Sequence, residues 1–83
     1  MRKFFFDSAA LGENTVQYSL VSGTPGTDKG EYGILVESGG EQVLIPALSV
    51  SRFRVSELLG MMCRGVVTPV TAGDVAEDWL AAI

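Results

Sequence analysis

Two segments in the last third of the chain share one grammar: Val50-Ser51-Arg52-Phe53-Arg54-Val55 and Val70-Thr71-Ala72-Gly73-Asp74-Val75. Each reads as a helix start. A hydroxyl residue at the N-cap accepts a hydrogen bond from an otherwise unpaired backbone N–H. A valine before it closes on a valine inside the first turns, the hydrophobic staple. This grammar predicts two short C-terminal helices and leaves a strand-like N-terminal half.

The first helix is expected from about Arg52 to Arg64, where Val55, Leu58, Leu59 and Met62 recur at helical spacing as a core stripe. Arg64 in the last turn and Gly65 beyond it form a stop, a cation on the negative helix end followed by a residue tolerant of the left-handed conformation. Val66 to Val70 is a connector in which Pro69 keeps Thr68 out of the helical region. The second helix is expected from about Ala72 to Ala82. Ala72, Val75, Ala76, Trp79, Leu80 and Ile83 make its apolar arc, and Asp74 stands at N3.

The N-terminal half reads in alternation. Lys3 to Asp7 is a short strand, and Ala9 to Glu13 a turn or one loose helical turn punctuated by Gly12. Asn14 to Ser22 places Val16, Tyr18 and Leu20 on one face. Gly23 to Gly30 is a breaker-rich loop. Glu31 to Ser38 places Tyr32, Ile34 and Val36 together, Gly39-Gly40 makes a tight hairpin, and Glu41 to Leu48 returns with Val43, Ile45 and Ala47 inward. The 83 residues form a single domain, strands over 1–48 and helices over 49–83. The expected fold is α+β, a four-stranded antiparallel meander with two C-terminal helices packed on one face.

The composition narrows function mainly by exclusion. With 47% hydrophobic and 19% charged residues the chain is not of the disordered type. The net charge is −4, and the six basic residues (Arg2, Lys3, Lys29, Arg52, Arg54, Arg64) are scattered along the sequence, which argues against nucleic acid. No apolar run is long enough to span a bilayer, and Asp7 and Ser8 cut Phe4-Phe5-Phe6 short of a signal-peptide core. Neither a membrane nor a secretory route is expected, and the cytoplasm is the expected location. There is no histidine, hence neither the commonest general base nor the commonest metal ligand. Cys63, the one cysteine, has no intrachain partner.

At Tyr32-Gly33-Ile34, at Thr68-Pro69-Val70, and at Asp74-Val75-Ala76-Glu77-Asp78-Trp79-Leu80, the chain resembles a family of short bacterial proteins frequent in anaerobic Gram-positive bacteria and known only as a domain of unknown function. The likeness covers roughly residues 30 to 83. It implies a small cytosolic domain with no assigned activity, and it carries over no catalytic or binding residue.

The residues with chemistry to offer each have a simpler role. Asp74, Glu77 and Asp78 would suit a divalent metal or a basic partner, but a solvated acidic face accounts for them and no loop carbonyls are at hand to complete a calcium site. The Gly23–Gly30 loop lacks the Gly-Lys-Ser/Thr order and following helix of a phosphate loop. Cys63 sits at a helix C-terminus, where the dipole raises a thiol pKa, and reads as a core-edge hydrophobe. Glu37 and Glu41 flank the hairpin and point into water. Tyr18, Tyr32 and Trp79 read as core residues with their polar tips at the boundary. No catalytic, cofactor-binding or metal residue is assigned, and no enzymatic activity is expected.

One feature points further. If the helices cover one sheet face, then Phe5, Leu35, Leu44 and with them Val21 lie on the other, and contiguous apolar groups of that kind mark interaction surfaces. The expected function is a small non-catalytic interaction module acting through an open sheet face or strand edge, with a second copy (a homodimer) or another protein as partner. The alternative is a small ligand- or divalent-metal-binding regulatory domain using the acidic helix face or the glycine loop.

Overall fold

The computed structural model describes residues 2–23 and 31–82. Among them are strands β1 (Arg2–Leu11), β2 (Asn14–Ser22), β3 (Tyr32–Ser38) and β4 (Glu41–Ser49), followed by helices α1 (Arg52–Arg64) and α2 (Pro69–Ala81). The strands form one antiparallel sheet in the order β1-β2-β3-β4. Both helices lie on one face, α1 over β1, β2 and β3, and α2 over β3 and β4. This is the expected α+β meander with its helical layer. Of the glycine loop, residues 24–30 lie outside the described residues, as does Ile83.

The core sits between the layers. Val16, Tyr18 and Leu20 of β2 and Ile34 and Val36 of β3 meet Val55, Leu58, Leu59 and Met62 of α1 and Ala72 and Ala76 of α2. The alternation of the central strands and the stripe on α1 therefore meet as the periodicity requires. At the β3–β4 turn, Gly39 and Gly40 have φ of 53° and 87°, the pair of positive angles that suits a two-residue hairpin.

Several boundaries differ from expectation. β1 runs on to Leu11, since Ala9 to Leu11 pair with Val16 to Asn14 instead of turning, and a bulge at Phe6 resets its phase. Phe5 stands opposite Ser19 and Asp7 opposite Tyr18, with Phe6 extra. Alternation read straight through residues 4–11 cannot see that reset. In β4, Ala47 is exposed with φ 57°, not inward. Three residues, Pro46 to Leu48, stand against Gly33 alone, which shifts the phase so that Leu48 packs on the core. Gly33 makes this approach possible: a Cβ there would overlap the Ile45 carbonyl oxygen and lie 2.6 Å from Pro46 Cα.

The α1 limits are as expected, and the Ser51 side chain accepts a hydrogen bond from Arg54 N–H at 3.3 Å. Val50 is 71% exposed, so it is not a staple on Val55. Gly65 keeps a right-handed φ of −87°, and the left-handed residue is Val66 at 50°. Placing the reversal one residue later lets Val66 and Val67 pack on the core. α2 begins a turn early. Thr68 is its N-cap, extended at φ −89° and ψ 166°, with Pro69 in the first turn. Proline there lacks only an N–H that would have no helical partner. Thr71 and Asp74 are consequently interior to the helix, Val70 is 76% exposed, and Leu80 at 41% lies outside the buried arc.

Candidate interaction surface

The sheet register assembles the surface on the face away from the helices. Phe5 on β1 is opposite Ser19 on β2, Ser19 is opposite Leu35 on β3, and Leu35 is opposite Leu44 on β4. Directly opposed residues share a face, so these four form one row across the sheet. Phe5 is 62% exposed and Leu44 43%, while Leu35 is half-buried. Lys3 Nζ reaches from β1 to Glu37 Oε1 on β3 at 3.1 Å and so bridges over β2. Ser19 is buried to 1% exposure, and its Oγ finds no hydrogen-bond partner among the described residues.

Val21 does not belong to the open surface. It shares the face, opposite Lys3 and Gly33, but is only 3% exposed. It lies on a central strand, beside the place where the β4 backbone crowds Gly33. The apolar surface is therefore Phe5, Leu35 and Leu44.

The rest of β1 adds apolar groups that alternation alone does not single out. Phe4 and Phe6 are 37% and 40% exposed on the helix side of the same strand. The Arg2 and Arg52 guanidiniums each lie 5.6 Å from the Phe4 ring centroid, within cation–π range. Phe6 approaches α1 at Gly60 and, with Phe53, Met61 and Trp79, lines an open groove of about 520 Å³. The signal was present as three consecutive phenylalanines. An apolar run on both faces of one strand suits either a buried strand or an edge whose two sides need cover.

Of this chain, residues 6–82 match a family model described as a family of unknown function (DUF6514). The chain belongs to that family. The DUF6514 match begins at Phe6, so Arg2, Phe4 and Phe5 lie before it. No curated protein and no solved structure matches the chain.

The other reactive groups of this DUF6514 chain stay apart. Asp74, Glu77 and Asp78 are exposed on α2. No three acidic or thiol side chains among the described residues converge as metal ligands would. Glu37 is engaged by Lys3. Cys63 Sγ lies 3.6 Å from the Ser8 carbonyl oxygen. Burial and then the Asp7 carboxylate push its thiol pKa up, against a lowering influence from Arg64. That direction is away from nucleophilic activation. No helix among the described residues is long and apolar enough to cross a membrane.

Proposed function

We propose that the chain is a small non-catalytic interaction module of the cytoplasm, of the short bacterial kind its motifs resemble, that binds protein through its helix-free sheet face and the adjoining edge. The observation that carries this reading is the Phe5–Leu35–Leu44 row. A face built only to meet water has no use for three large apolar groups in one register. The absence of histidine and the raised Cys63 pKa favour recognition over catalysis.

The test is retention from native lysate by tagged wild type and by Phe5→Glu and Leu44→Glu, both variants checked as folded by circular dichroism. Wild type is expected to hold protein, another chain or its own kind, that both variants release. Equal retention by all three contradicts the reading.

A further inference from the structure

The two edges of the sheet differ in their capacity to accept another strand. β4 carries Pro46 in mid-strand, has a left-handed Ala47 beside it, and buckles against Gly33. Proline, a positive φ and irregular spacing all disfavour a further ladder. β1 has ten residues, contains no proline or glycine, is exposed nearly throughout, and pairs on one side only among the described residues. Such an edge is a template for strand addition.

The charges on β1 select the added strand. Arg2 and Lys3 lie toward one end and Asp7 beyond the phenylalanines. A parallel copy in register would set like charges side by side, whereas an antiparallel copy opposes unlike ones. The bulge decides the register. Because Phe6 has no opposite number on β2, Phe5 and Phe6 together occupy one place in the ladder. Arg2 and Asp7 then stand two places on either side of Phe4. All three share the helix face, since their partners Ser22, Tyr18 and Leu20 alternate on it.

Resting on the interaction reading above and naming its partner, we infer that the occupant of the β1 edge is a second copy of this chain. It is added antiparallel about a two-fold axis at Phe4, so that Arg2 faces Asp7 of the partner subunit twice. The contact is isologous and closes at two chains, extending the sheet continuously across the axis. α1 runs along β1 in the same sense, with Arg52 over Phe4, Gly60 beside Phe6 and Cys63 over Ser8. Pairing the strands therefore draws the two α1 helices together and offers cover to Phe53, which is 72% exposed.

The experiment is sedimentation equilibrium of wild type, Arg2→Asp, Asp7→Arg, the double exchange and Leu35→Glu. Wild type is expected to reach twice 8.8 kDa as concentration rises. Each single reversal turns two attractions into two repulsions and should weaken the dimer by about tenfold, and the double exchange should restore it. Rising salt should weaken the wild-type dimer. Amide exchange on wild type alone guards against a variant that fails to fold, since outward β1 amides should slow at high concentration.

A wild type that stays monomeric, or single reversals without effect, overturns the inference. Dissociation by Leu35→Glu but not by the charge reversals overturns it too, while leaving the sheet-face reading intact.

Discussion

The Tyr18 hydroxyl donates a hydrogen bond to the Val67 carbonyl oxygen at 2.7 Å. It ties the middle of β2 to the connector between the helices, 49 residues along the chain, through a phenol ring that is fully buried. Tyr18→Phe should lower stability by about 1–2 kcal/mol, because the Val67 carbonyl loses its partner in a part-buried site. Urea unfolding checks this. A change in the midpoint with an unchanged slope is the expected form.

The same bond has a pH signature. Burial, with the Cys63 thiolate contributing, pushes the Tyr18 phenol from 10.0 up to about 12. The folded chain thus holds this proton where the unfolded chain has begun to lose it. Stability from Tyr18 is complete below pH 10 and is lost as pH rises through about 12. Unfolding measured over that range should show a steeper decline in wild type than in Tyr18→Phe.

Gly33→Ala tests the crowding between β3 and β4. The added methyl meets backbone, not a side chain that can swing away. A loss of about 2 kcal/mol or more is expected in thermal or urea unfolding, from forced displacement of the Ile45–Pro46 segment.

Ala47→Gly should act in the opposite direction. Ala47 is exposed and has a φ of 57°, so glycine relieves the left-handed conformation without removing packing. The gain should be about 0.5–1 kcal/mol after the greater freedom of glycine in the unfolded chain is subtracted. A raised melting midpoint is the expected reading.

Ser19 stands at the middle of the sheet-face row with an unpartnered buried hydroxyl among the described residues. Ser19→Ala should therefore be neutral or stabilising by up to about 1 kcal/mol, unlike most buried polar deletions. A clear loss of stability would mean that the hydroxyl has a partner in solution.

How far the sequence reached follows from which residues obey a simple period. β2, α1, the Gly39-Gly40 turn and the helical layer were legible because Val16/Tyr18/Leu20 and Val55/Leu58/Leu59/Met62 keep strict spacing. Alternation fails in β1 and β4 where Phe6 and the Pro46–Leu48 segment break the period of two, since a bulge depends on the opposite strand. The start of α2 is ambiguous in the sequence because Thr71 and Thr68 are both acceptable caps, and Pro69 in the first turn favours the earlier one. The surface was legible in Phe5, Leu35 and Leu44. Val21 was not separable from them by alternation, because its burial comes from tertiary crowding. Phe6 and the Arg2–Asp7 symmetry depend on the bulge and could not be placed without it.

The β1 edge can be observed directly with isotope-filtered nuclear Overhauser spectra on a mixture of labelled and unlabelled chain. Antiparallel pairing about Phe4 requires contacts between copies from Phe4 ring to Phe4 ring and from Arg2 to Asp7. Contacts between copies that run instead from Leu35 and Leu44, or none at a concentration where the mass is that of two chains, contradict that pairing.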